Sequence, residues 1–181
     1  MNRNEALELV KKRVDNKNLI KHMLACEACM KGLARRFNED EEKWGLAGLL
    51  HDLDYPETVN DPAKHGFVTV EMLKEYGIEE DILNAILAHP GHKTLETLME
   101  KSLYSIDPLT GLIVAAVLMH PEKKISCADT EFIMRRFKER RFAAGANREQ
   151  ISAISDTGIT IEDLIGICIE SMKGISEELG L

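Results

Sequence analysis

Apolar residues recur at three- and four-residue intervals along nearly the whole chain, and no stretch alternates apolar and polar for long enough to read as a strand. That period points to an all-α helical bundle. Helices are expected over 4–14, 19–37, 41–53, 63–76, 79–88, 95–106, 108–119, 130–142, 148–156 and 160–179. Asn18 is the expected cap of the second. Asp61-Pro62 opens the fourth and Gly77 closes it. Pro90-Gly91 and Pro121 stop later ones, and Thr160 caps the last, with Glu162 and Asp163 in its positive first turn. Val68-Thr69-Val70 is β-branched but lies among helical neighbours. No linker, repeat or low-complexity segment divides the chain, so residues 1–181 read as one domain.

Charge limits what such a bundle can bind. The chain carries 31 acidic and 23 basic residues, a net charge of -8. A nucleic acid is not the expected partner, and an anionic substrate would need a locally cationic site. Aromatics are 5% of residues, leaving aliphatics and Met to fill the core. Residues 1–12 are charged and lack the apolar core of a leader, and the longest apolar run, 112–119, falls far short of the roughly 20 residues of a membrane span. The expectation is a cytoplasmic protein with reduced thiols and no membrane partner.

Chemistry concentrates in the histidines, which are His22, His51, His65, His89, His92 and His120. Each has an ordinary reading when taken alone. His22 can be a core or surface residue of its helix. His51-Asp52 can be a helix-terminal imidazole beside a capping carboxylate. Asp107-Pro108 can be an N-cap followed by a proline at the first helical position. His120 precedes Pro121 at a helix end and reads as structural. Imidazole and carboxylate together also suit Mn, Fe, Co, Ni or Zn, with Mg at carboxylate-rich positions.

Local context favours the metal. The segments "KHMLACEACMKGLARRF", "WGLAGLLHDLDYPET", "HGFVTVEMLKEYG", "ILAHPGH" and "MEKSLYSIDPLTGLI" together resemble the HD-domain superfamily of metal-dependent phosphohydrolases, from about Lys21 to Met119. The likeness extends to a subgroup of stand-alone bacterial and archaeal HD proteins known only as hydrolases. It implies an HD-type helical bundle whose metal-binding core covers about 19–120, with further helices over 121–181. It also implies one or two divalent metal ions. His22, His51, Asp52 and Asp107 would hold the first, and His65 and His89 would hold a second, with Asp52 as the bridge.

The activity implied is cleavage of a phosphate ester or anhydride by a metal-bound hydroxide. The substrate would be a nucleotide or another small phosphorylated metabolite. A di-iron oxygenase and a non-catalytic regulatory module use the same architecture and stay open. So do the oligomeric state, with a homo-oligomer allowed, and the identity of the substrate.

Three more residues are catalytic candidates beside Asp52. Asp54 can activate water, hydrogen-bond a ligand histidine from behind, or cap the loop before Pro56. Lys101 can bind phosphate, or pair with Glu96 or Glu100. His92 can touch substrate or lie in solvent. Cys26 and Cys29 form a CxxC, but Cys127 and Cys168 are isolated, so packing by small apolar thiols is the reading of both. The basic cluster Arg135, Arg136 and Lys138 to Arg141 reads as a solvated helix face that could close over an anion.

Overall fold

The computed structural model describes all residues, Met1–Leu181, and contains no strand. Its helices are α1 (Arg3–Arg13), α2 (Lys17–Phe37), α3 (Glu41–Leu50), α4 (Tyr55–Thr58), α5 (Phe67–Leu73), α6 (Glu80–Ala88), α7 (Leu98–Met119), α8 (Thr130–Lys138), α9 (Arg148–Ser152), α10 (Ile161–Lys173) and α11 (Ser176–Leu179). Short 3-10 turns cover Lys74–Tyr76, Ile125–Cys127 and Ala153–Thr157. The all-α expectation holds.

Two helices organise the bundle. Helix α2 packs along α3 and also touches α7 and α10, while α7 packs on α6 and α9. One contiguous apolar core results, with Met23, Met30 and Leu33 of α2 and Leu103, Ile106, Leu109 and Ile113 of α7 fully buried within it. The approach of α3 to α2 is close enough to require glycine. A Cβ on Gly48 would lie 2.6 Å from the Cys26 carbonyl oxygen and 2.8 Å from the Glu27 nitrogen, both backbone atoms.

Several expected boundaries move. Asn16, not Asn18, caps α2, its side chain accepting from the Asn18 and Leu19 amides. The expected helix over 63–76 begins only at Phe67, because Gly66 at φ 81 turns the chain first. The last expected helix breaks at Gly174 into α10 and α11.

The largest correction concerns α7, which replaces two expected helices with one of 22 residues running through Pro108. A proline inside a helix removes one backbone hydrogen bond and crowds the preceding turn, at a cost of about 3 kcal/mol. Here both halves are tied to the core, by Met99, Leu103 and Ile106 before it and Leu109, Leu112, Ile113, Ala116 and Val117 after it. Burial of that many apolar side chains outweighs one lost bond. Asp107 is therefore a mid-helix residue and not an N-cap. The fused helix also has the length and mean hydropathy, 1.6, of a membrane span, contrary to the expectation that no such stretch exists. More than half of its most apolar window is buried against the other helices.

The C-terminal segment is tied in by Arg148. Its guanidinium donates to the carbonyls of Phe137, Phe142, Ala143 and Ala146 and so gathers the turn between α8 and α9. From α9, Gln150 Nε2 donates to the His89 carbonyl at 3.4 Å.

Candidate metal centre

Six side chains from five places in the chain converge at the centre of the bundle. His22 comes from α2, and His51 and Asp52 from the turn that ends α3. His65 comes from the turn before α5, His89 from the C-terminus of α6, and Asp107 from the middle of α7. Each helix delivers its residue by packing: the α2–α3 contact sets His22 against His51, and the α6–α7 contact sets His89 against the wall that carries Asp107.

The donor atoms fall into two groups that share Asp52. In the first, His22 Nε2 lies 3.3 Å from His51 Nε2, 3.2 Å from Asp107 Oδ1 and 3.7 Å from Asp52 Oδ2. His51 Nε2 is 3.5 Å from the same Asp52 oxygen and 3.8 Å from Asp107 Oδ1. In the second, His65 Nε2 and His89 Nε2 are 3.0 Å apart, and they lie 3.3 and 3.5 Å from Asp52 Oδ1. Ligands about 2.1 Å from an ion stand about 3.0 Å apart at right angles and about 3.4 Å at the tetrahedral angle. The His65–His89–Asp52 group lies close to that spacing, and the His22–His51–Asp107 group matches it except for the wider 3.7 and 3.8 Å pairs, so the residues present fit a divalent cation, with one Asp52 oxygen turned to each group.

Every ring is held from behind. His51 Nδ1 donates to the Gly48 carbonyl at 2.9 Å, and His89 Nδ1 to the Ile86 carbonyl at 2.6 Å. His22 Nδ1 lies 3.1 Å from Thr110 Oγ1, whose own hydrogen goes to the Asp107 carbonyl at 2.9 Å. His65 Nδ1 donates to Asp54 Oδ1 at 2.7 Å. With each Nδ1 occupied as a donor, each Nε2 is turned to the centre and can ligate once it gives up its proton.

The carboxylates and imidazoles of the site hold one another's charge. Burial disfavours the carboxylate form of Asp52, but the charge of His51 and hydrogen bonds from His65 and His89 outweigh it and hold the group well below the usual carboxylate range. Asp107 is lowered too, with burial opposing and hydrogen bonds from His22 and His51 prevailing. Burial opposes protonation of His51 and His65, yet the charge of Asp52 on the first, and hydrogen bonds to Asp52 and Asp54 on the second, raise both to about 9. His89 goes the other way, because its burial is not fully offset. His22 is raised as well, its burial opposed by Cys26 and by the hydrogen bond to Asp107, so a cation entering the site displaces the protons that these rings hold against the two carboxylates.

The profile of the HD domain family matches residues 19–126 of this sequence. This chain belongs to the HD-domain family. The HD superfamily is one of metal-dependent phosphohydrolases whose members bind divalent metals, and the His/Asp cluster lies inside the matched region. Curated relatives include the Ribonuclease Y of Sulfurovum sp. (strain NBC37-1), 26% identical over 165 residues, which are 90% of this chain and 32% of that protein. Ribonuclease Y of Nitratidesulfovibrio vulgaris (strain DP4) is 27% identical over 53% of this chain and 18% of its own length. The enzyme of Desulforudis audaxviator (strain MP104C) is 28% identical over 52% of this chain and 18% of its own. The chain thus spans a third or less of the relatives it matches. No solved structure matches it significantly.

Not every expected site residue reaches the HD centre. Asp54 is fully buried behind His65, and its second oxygen accepts from the Gly66 and Thr69 amides at 2.8 and 2.9 Å. Those bonds, with the one from His65, occupy the carboxylate, so of its three expected roles the geometry keeps the one behind a histidine. Asp54→Asn should weaken metal uptake at the His65 and His89 group about 10- to 100-fold while sparing the His22 and His51 group. Metal content after dialysis checks this, and wild-type affinity at both groups would contradict it.

His92 is exposed and stacks on Phe67 at 4.7 Å, without touching the cluster. Lys101 forms no ion pair, and its expected partners Glu96 and Glu100 are held by Lys93 instead. Six residues along a helix is about 120° from the Asp107 face, so Lys101 looks elsewhere. His120 packs its ring on Phe132. In the basic cluster, Arg135 pairs with Glu131, while Arg136 pairs with Glu139 and lies over the rings of Phe132 and Phe142. Cys26 is buried, with its sulfur 3.8 and 3.9 Å from the two nitrogens of His22, so it rests against that ring.

Sequence reasoning missed Thr110 and the two carbonyls that orient His51 and His89. Thr110 stands three residues past Asp107, on the same helix face, and that spacing was the available signal.

Proposed function

We propose that this chain hydrolyses a phosphate ester or anhydride in a nucleotide or a small phosphorylated metabolite, with two divalent cations held by His22, His51, Asp52 and Asp107 and by His65, His89 and Asp52. The observation that carries the reading is the division of Asp52, with Oδ2 against the first group and Oδ1 against the second. Cations bound there supply an activated water and neutralise the phosphoryl oxygens. The chain's own residues do the rest. Four backed imidazoles fix the donor geometry, and Asp54 orients His65. The buried rings of His51 and His89 close the inner side, while His22 and Asp107 keep 23% and 28% of their side chains exposed and leave an entrance.

The similarity to Ribonuclease Y over 90% of the chain supports a second reading, cleavage of an RNA phosphodiester. The net charge of -8 weighs against a long RNA, which needs a basic track.

A screen of phosphate release, with RNA fragment length followed in parallel, decides between them. Nucleoside mono-, di- and triphosphates, sugar phosphates and a short single-stranded RNA are presented with Mn, Fe, Co, Ni, Zn or Mg. Metal-dependent phosphate release from a small substrate, lost in His51→Ala, is the expected result. Preferential cleavage of the RNA moves the reading to a nuclease. Oxygen uptake by the iron-loaded protein without phosphate release moves it to an oxygenase. A metal-loaded protein active in none of these sinks the enzymatic reading.

A further inference from the structure

A groove leaves the centre on its exposed side. Helix α2 lines it with Asn18, Lys21 and His22, α7 with Thr110, Gly111 and Leu118, and Leu179, Gly180 and Leu181 form a third wall. On α2 these positions are spaced by three and one, and on α7 Gly111 and Leu118 follow Asp107 by four and eleven, so each set forms one helix face. The enclosed space is about 450 Å³, within the range of small-molecule sites. His22 and Thr110 belong to both the groove and the metal centre, so the two are continuous.

Three features mark the groove as a place for a ligand. Gly111 lies in the middle of a 22-residue helix, yet nothing lies within 4 Å of where its Cβ would be. No neighbour demands glycine there, and glycine is a poor residue for a helix interior. Leu118 leaves 49% of its surface uncovered on the same wall. Lys21, next to the ligand histidine, spends one ammonium hydrogen on the Leu179 carbonyl at 2.7 Å and has others free for an anion.

We propose that this groove receives the nucleoside of a nucleoside monophosphate, with the phosphate at the metal centre. This rests on the phosphohydrolase reading. The base lies over the Gly111 backbone, against Val114 and Leu118, and the Asn18 amide and Lys21 supply its polar contacts. Glycine at 111 leaves the room that a flat ring needs.

The test is a calorimetric titration of the manganese-loaded protein, its metal content measured first. The ligands are the non-hydrolysable methylene phosphonate isostere of adenosine 5′-monophosphate, methylphosphonate and hexylphosphonate. Gly111→Leu is compared with wild type, because leucine takes up groove space, its Cβ meets no atom within 4 Å and it favours the helix. The expected result is about 30-fold weaker binding of the nucleotide isostere to Gly111→Leu, with methylphosphonate unchanged and a melting temperature at or above wild type. Equal binding of the isostere to both proteins overturns the groove assignment alone. Tighter binding of hexylphosphonate than of the isostere overturns the nucleoside. Failure of wild type to take up manganese, or to bind any phosphonate once loaded, overturns the phosphohydrolase reading and the groove with it.

Discussion

Replacing Asp52 with asparagine is expected to empty both halves of the centre at once. Asparagine keeps the shape of the side chain but turns one oxygen into an amide nitrogen that cannot ligate a cation, and leaves the other an uncharged carbonyl oxygen, a much weaker ligand than a carboxylate. In the wild type Asp52 is the one residue whose two oxygens face different groups, at 3.5 and 3.7 Å on one side and 3.3 and 3.5 Å on the other. Residues that only orient a ligand change metal affinity about 10- to 100-fold, so loss of the shared ligand should exceed that, about 1,000-fold or more. Phosphate release should fall with it. Elemental analysis after dialysis and a circular dichroism spectrum separate metal loss from unfolding. A folded Asp52→Asn protein that keeps both ions, or full activity, would sink the two-cation reading. His51→Ala offers a graded comparison, since it touches the first group and leaves His65 and His89 in place.

The second large effect is expected far from any ligand atom. Gly48→Ala adds one methyl, 2.6 to 2.8 Å from the backbone of Cys26 and Glu27. Main chain cannot rotate away as a side chain can, so α3 must lift from α2. Overpacking of this kind costs about 1–3 kcal/mol, and backbone on both sides puts this case at the upper end. For a chain of this size that is a fall in melting temperature of roughly 6–12 °C. The same displacement should reach the site. His22 lies one turn before Cys26 on α2, and His51 lies one turn after Gly48, whose carbonyl holds its Nδ1 at 2.9 Å. The two Nε2 atoms are 3.3 Å apart, so lifting α3 parts two ligands of the first cation. Metal affinity should drop alongside stability. Gly111→Ala is the control, because the same substitution in open space should stabilise the protein by about 0.5–1 kcal/mol. A Gly48→Ala protein that melts with wild type would show that the helices can part at no cost.

Much of this could be read before the fold was known. Helical spacing marked nearly every long helix, because that period follows from the geometry of a single helix and needs no partner. The order of imidazoles and carboxylates carried the family resemblance for the same reason, since residue types and their sequence order are local facts. The errors came where local and distant forces compete. Pro108 reads as a helix start, and it would be one in an isolated peptide. The core residues on both sides of it hold α7 straight through, which moved Asp107 from a cap to the middle of a helix. Lys101 and His92 are near the ligands in sequence but not in space, because a helix face and a Pro-Gly turn carry them away.

The amino-acid order alone therefore determined the fold class, the chemical types available to the centre and the residues that could supply them. The tertiary structure decided how those residues are used. It turned the two oxygens of Asp52 to opposite groups and placed Asp54 behind His65. It also opened a groove between α2 and α7 beside His22. Each of these depends on the distance and rotation between helices far apart in sequence. Packing sets those quantities, and no local pattern encodes them.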